Sequence, residues 1–272
     1  MSGPLIESPV VSTQWLADHF GAEKLVVLDA TVLGYVQPSG STGYLSGHES
    51  YIMNGHIPGA IFADVIDELS DPEGRYPFTR PSEERFALAA GALGIDNETT
   101  VVVYDALVGQ WASRVWWLFR AFGYDRVAVL DGGYQRWVAE ERETQVGHVE
   151  PTPAVFAATE RPELWIDRSG VEAIVDGSAE GALVCGTPAK EFAETSIPGS
   201  INVPAGRLVD RTTNELLATP ALRELLAPAL ASQRIVVYCK GGIAATADAL
   251  ALTLLGHTKV SVYDESLNEW AA

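Results

Sequence analysis

Short β-rich apolar runs alternate along the chain with longer stretches of helical period. LVVLDA (Leu25 to Ala30), AIFAD (Ala60 to Asp64), VVVYD (Val101 to Asp105) and RVAVLD (Arg126 to Asp131) are uncharged inside and end in turn chemistry, which predicts buried strands. Between them, PSEERFALAAGALG opens on the helix-start residues Pro81 and Ser82 and closes at Gly94. GQWASRVWWLFRAFG places Trp111, Val115, Leu118 and Phe122 three and four apart and stops at Gly123, a second helix with an apolar face. Later in the chain ALVCG, SINVP, RIVVYC and KVSVYD repeat the strand pattern, with a helix from Ala244 to Leu255. Strand alternating with helix predicts an α/β fold, a mostly parallel sheet covered by helices on both faces.

The two sets of runs are copies. HIPGAI (His56 to Ile61) returns as SIPGSI (Ser196 to Ile201), and VVVYD returns as VVYC at an offset of 134, placing Cys239 where the first half has Asp105. Gly123 with Gly256, Asp131 with Asp264 and Trp137 with Trp270 match at an offset of 133. One copy of this length folds as a domain, so the interval marks a duplication and not a solenoid. A polar, proline-bearing seam runs from Thr144 to Ala154, which divides the 272 residues into domains at 1–145 and 155–272.

Composition narrows the function classes. Eighteen Lys and Arg face thirty-six Asp and Glu, a formal charge of -18 that repels nucleic acid and an anionic membrane surface. Two cysteines exclude a disulfide scaffold. The opening MSGPLIESPVVSTQ has no basic start, apolar core or small-residue cleavage site, and no apolar run reaches membrane-spanning length, so a cytoplasmic protein with reduced thiols is expected. A small anion remains a possible ligand, because a local nest of N–H groups attracts what the global field repels.

Cys239 is the residue on which the chemistry converges. In open α/β sheets ligands bind beyond the carboxyl ends of strands, and Cys239 ends RIVVYC directly before a double-glycine turn and a helix. The backbone of Lys240, Gly241, Gly242, Ile243, Ala244 and Ala245 can focus N–H groups and a helix N-terminus on one point, favouring a thiolate, a bound anion or a transferred sulfur. A buried cysteine acting as a small hydrophobe is the plainer reading of an isolated thiol, but the loop context selects a nucleophile. Asp105 cannot be a sulfur nucleophile, which makes the first half a non-catalytic partner.

These segments resemble the two-domain rhodanese-type sulfurtransferases, over nearly the whole chain. GHIPGAIFAD, ASRVWWLFRAFGYDRVAVLDGGYQRW, SIPGSINVP, VVYCKGGIAATADALALTLLG and VYDESLNEW carry the resemblance. It implies two tandem rhodanese-like domains and a persulfide on Cys239, formed from a small sulfur-containing anion such as thiosulfate or 3-mercaptopyruvate and passed to cyanide or a thiol, with no cofactor and no metal. The chain departs from the family pattern where an Asp-x-Arg triplet is replaced by Cys185, Gly186 and Thr187, and where Ser196 replaces a histidine. The arginine that would grip an anionic donor is missing.

Other residues have narrower readings. Lys240, next to the thiol, is expected to lower its pKa or to steer an anion, which favours thiosulfate as donor. Arg75 and Arg80 either reach the interdomain cleft in place of the lost arginine or belong to a solvated loop. Arg114 is expected to pair with Asp29 or Asp105, and His56 to be a hydrogen-bonded structural residue. Cys185 is read as buried and inert, or as a resolving thiol if it shares a sheet face with Cys239. Besides a sulfurtransferase, two functions remain to be weighed. A cysteine phosphatase needs an arginine where Ala245 stands, and a binding or regulatory module is favoured by the missing arginine but not by the intact loop.

Overall fold

The computed structural model describes residues 3–38, 40 and 42–272. The first half runs β1 (Val10–Val11), α1 (Thr13–Asp18), β2 (Leu25–Asp29), β3 (Val32–Val36), β4 (Thr42–Ser46), α2 (His48–Asn54), β5 (Ile61–Phe62), α3 (Glu83–Ala92), β6 (Thr100–Tyr104), α4 (Gln110–Ala121), β7 (Val127–Leu130) and α5 (Gly133–Ala139). The second runs β8 (Trp165–Ile166), α6 (Arg168–Val175), β9 (Ala182–Cys185), α7 (Ala189–Glu194), β10 (Ile201–Asn202), α8 (Thr219–Leu230), β11 (Ile235–Tyr238), α9 (Ala244–Leu254), β12 (Val260–Tyr263) and α10 (Ser266–Trp270). No helix among the described residues is long and apolar enough to cross a membrane.

Each half builds a five-stranded parallel sheet, in the orders β1-β7-β6-β2-β5 and β8-β12-β11-β9-β10. Substituting each strand by its counterpart turns one order into the other, so the duplication read in the sequence is a duplication of topology. Every residue of β6 and of β11 is buried, which is why these runs lack the polar alternation of a half-exposed strand. The hairpin β3–β4 is antiparallel and has no counterpart in the second half. The sequence reading missed it, because GYVQPSGSTGY carries turn residues but little of the apolar alternation that marks a strand. The seam is not a free tether: Ala154 donates its N–H to the Gly91 carbonyl at 2.8 Å, and Phe156 is buried among Phe86, Phe119 and Tyr124.

The halves meet along α4 and α9. Ten of the twelve α4 residues are buried, because one side of the helix covers its own sheet and the other meets α9. Alanines at 244, 245, 247, 249 and 251 keep α9 thin enough for close approach. Arg114 lies in this interface, and its partner is neither Asp29 nor Asp105 as expected from the sequence. Its guanidinium crosses to Asp264 of the second half at 2.5 Å and donates to the Phe78 carbonyl at 2.8 Å. Asp29 instead accepts from the Thr31 backbone at 2.9 Å, with burial raising its pKa to about 6. The expectation failed because pairing within one domain was assumed, whereas this face of α4 looks across the seam.

Asp248 occupies the position in α9 that Arg114 occupies in α4, each nine residues beyond the loop residue Cys239 or Asp105. It is fully buried, and neither carboxylate oxygen finds a partner among the described residues. One oxygen lies so near Gly186 that an added Cβ there would come within 2.6 Å of it. Burial raises its pKa well above the ordinary value. The native state therefore retains a proton that the unfolded chain releases near pH 4, and stability falls as pH rises from there to the folded pKa. Asp248→Asn is expected to raise Tm more at pH 8 than at pH 5, by about 2–4 °C per kcal/mol recovered, as followed by circular dichroism melts.

Candidate functional site

Strand β11 ends at Tyr238 and places Cys239 at the carboxyl edge of the second sheet, 3% exposed, at the base of a cleft of about 820 Å³ between the halves. The loop that follows is compressed against its neighbours. Gly242 has φ +77°, and a Cβ on it would come within 2.5 Å of the Asp264 carbonyl, so the turn excludes any larger residue. From the other side, the Cys239 N–H donates to Ser266 Oγ at 3.1 Å, while the Leu267 and Asn268 N–H groups donate to the Cys239 and Lys240 carbonyls at 3.2 and 3.0 Å. Ser266 is itself held at φ +51° with no exposed surface, a conformation that the packing around the thiol maintains.

Of the six residues from Lys240 to Ala245, three aim their N–H groups at the sulfur: Ala245, Gly241 and Gly242 all favour its ionised form. Burial opposes them and prevails, so the Cys239 pKa lies above the ordinary thiol value. The loop favours the thiolate as expected, and the burial that outweighs it was not legible in the sequence. Lys240 is exposed, and the largest influences on the thiol are its burial and these N–H groups. The loop is built to receive negative charge, but the resting sulfur is kept neutral by its exclusion from water.

The first half shows what such a loop does with an anion. Asp105, at the position of Cys239, accepts from the N–H groups of Leu107, Gly109, Trp111 and Ala112 at 2.8 to 3.0 Å. This loop is closed by its own carboxylate. The loop after Cys239 has the same relation to strand and helix but ends in a short, neutral side chain.

The cleft wall comes from both halves. Tyr44, Arg75, Tyr76, Phe78 and Trp111 line it from the first, Thr187, Glu191, Lys240 and Asn268 from the second. Arg75 therefore reaches the cleft, stacked 5.2 Å from the Tyr76 ring. Arg80 does not: it pairs with Glu160 at 2.5 Å and lies 4.9 Å from the Trp165 ring. Thr187, where the resemblance places an arginine, turns its hydroxyl to Cys185 Sγ at 3.1 Å. His56 is buried, stacked 3.9 Å from Tyr51 and bonded to the Tyr51 carbonyl at 3.0 Å, the structural role expected of it.

Cys185 is placed by strand register. It pairs with Tyr238 and packs with Leu183 and Val236, whereas Cys239 packs with Val184 and Val237 on the other face. Side chains alternate along a strand, so the two thiols lie on opposite faces. The condition for an internal disulfide fails, and with it the resolving role. Sequence reasoning also missed Tyr44, Trp111 and Asn268 as cleft residues. Turn residues between the aromatics Tyr35 and Tyr44 were the one available signal of a hairpin. Among the described residues no cluster of His, Cys, Asp or Glu is placed to hold a metal ion.

The family model of the rhodanese-like domain matches residues 12–140 and 169–272. The thiosulfate sulfurtransferase of Rattus norvegicus is 35% identical, over 96% of this chain and 91% of the rat protein. The 3-mercaptopyruvate sulfurtransferase of Escherichia coli K12 is 31% identical, over 96% and 94%. In three dimensions the chain resembles SseA from Escherichia coli, a structure described as that of a 3-mercaptopyruvate sulfotransferase, with a TM-score of 0.84 at 30% identity over 95% of this chain and 98% of that one.

The elevated thiol pKa has a direct readout. The rate of Cys239 alkylation by iodoacetamide is expected to keep rising with pH beyond about 8.5, the ordinary thiol value, and stopped-flow or mass-spectrometric rates between pH 6 and 10 would reveal a plateau at lower pH if the N–H groups outweighed burial.

Proposed function

The chain belongs to the rhodanese-like family, and we propose that it is a sulfurtransferase in which Cys239 carries sulfane sulfur as a persulfide. The Cys239 thiolate attacks the outer sulfur of an anionic donor. With thiosulfate the S–S bond breaks and sulfite leaves with its electron pair. The terminal persulfide sulfur is then taken by cyanide or a thiol, and the Cys239 thiolate is released for the next cycle. No cofactor or metal enters either step.

One observation carries this reading: three backbone N–H groups meet at a thiol in a cleft between the halves, in a loop whose first-half counterpart binds a carboxylate through four. Such a cradle suits a sulfur that becomes anionic during turnover. The second domain, 155–272, is accordingly the catalytic one, and the first, 1–145, contributes cleft wall and support. Among donors we favour thiosulfate over 3-mercaptopyruvate, on the single positive charge of Lys240 beside the nucleophile. The setting we assign is cytoplasmic.

A catalytically weak binding or regulatory module is the alternative, and Thr187 in place of an arginine is the observation that favours it. Mass spectrometry after incubation with thiosulfate separates the two: one sulfur atom is expected on Cys239 and none on Cys185. Cys239→Ser is expected to abolish transfer, and retained activity in that variant would overturn the mechanism.

Lys240→Ala is expected to lower kcat/KM for thiosulfate severalfold at low salt, with the loss shrinking as ionic strength rises, because an exposed charge acts on an incoming anion within a Debye length of about 10 Å at 0.1 M. Unchanged kinetics at low salt would place the lysine outside donor capture.

A further inference from the structure

The two sheets match strand for strand, but the connections after β2 and β9 do not. In the second half β9 passes to α7 through residues 186–188 alone, whereas in the first half β2 reaches α2 by way of the hairpin β3–β4. Thr42, Gly43 and Tyr44 of this extra hairpin line the cleft that holds Cys239 of the other half. An element found in one copy of a duplicated fold, set against the candidate site of the other copy, belongs to the site and not to the common scaffold.

Tyr44 is the residue of the hairpin with chemistry to offer. Its ring is fixed edge-on by Phe78 at 5.1 Å and by Trp111 at 5.6 Å, and these two meet edge-on at 5.0 Å. Packing therefore orients the ring, while 41% of the residue stays open, and the hydroxyl makes no hydrogen bond to any described residue. Partial burial raises the Tyr44 pKa, and the charge that Cys239 carries once ionised and that of Glu191 raise it further, so the phenol stays a neutral donor within electrostatic reach of the sulfur. Of the cations at the cleft, Arg75 stacks on Tyr76, and Lys240 is exposed.

We propose that Tyr44 is a specificity-determining residue that donates a hydrogen bond to the oxyanion of the sulfur donor seated on Cys239, in the place left by the arginine missing at Thr187. The inference rests on the persulfide reading of Cys239 and names the group that recognises the donor. Tyr44 gives up no proton: the S–S bond of thiosulfate breaks, its electron pair leaves with sulfite, and the phenol stabilises the oxyanion throughout.

The test is single-turnover persulfide formation on Cys239, followed by mass spectrometry, with thiosulfate and with benzyl hydropersulfide, a sulfane donor that has no oxyanion and passes its outer sulfur to the thiolate as benzyl thiol leaves. Tyr44→Phe keeps the ring contacts, so its Tm should match the parent. It is expected to slow sulfur transfer from thiosulfate by about ten- to a hundredfold, the loss of one hydrogen bond to a charged group, and to leave transfer from the hydropersulfide unchanged. An equal loss with both donors would make Tyr44 structural and overturn the proposal, as would unaltered thiosulfate kinetics. A parent protein that forms no persulfide from either donor overturns the persulfide reading together with this one, a result distinct from the failure of Tyr44 alone.

Discussion

Helix α4 lies directly on helix α9, and this contact decides what the rest of the molecule can do. Each helix follows the loop at the end of a central strand, so pressing the helices together brings both loops to one interface and turns each toward the other half. The Arg114–Asp264 ion pair crosses that contact with its guanidinium fully buried, and Asp264 also stands against Gly242 of the loop after Cys239. Removing one member of such a pair leaves a charge stranded in a medium that cannot solvate it, a cost of about 3–5 kcal/mol. The domain interface and the geometry of the thiol loop are thus held by one interaction.

The duplication provides an internal comparison of what one loop does with two side chains. Asp105 satisfies four N–H donors with its own carboxylate and needs no ligand. Cys239 leaves comparable donors with a neutral thiol, since burial outweighs the three N–H groups that favour ionisation. A cradle with unspent capacity for negative charge can receive an anion, whereas one filled from within cannot. On the function proposed above, this difference between aspartate and cysteine at the strand end divides the labour between the halves.

Asymmetry between the copies has consequences beyond that residue. Arg114 and Asp248 hold matched positions in matched helices, yet one is paired across the seam and the other is an unpartnered acid kept neutral by burial. The hairpin β3–β4 exists in the first half alone and supplies cleft wall to the second. Neither copy would present this cleft by itself.

The features legible along the chain are local and periodic. Apolar runs located the central strands, helix-start residues and glycines bounded α3, α4 and α9, self-comparison showed the duplication, and the strand–glycine–helix context of Cys239 singled out the thiol, all because these signals depend on spacing along one chain. Tertiary structure alone decided what passes between segments. The partner of Arg114 lies 150 residues away across a seam; the facing of Cys185 away from Cys239 follows from strand register; the presence of Tyr44 and the absence of Arg80 in the cleft depend on how a hairpin and a loop pack. The net rise of the Cys239 pKa is of the same kind, since the N–H groups that lower it are implied by the turn, while the burial that overrides them is a property of everything folded around it.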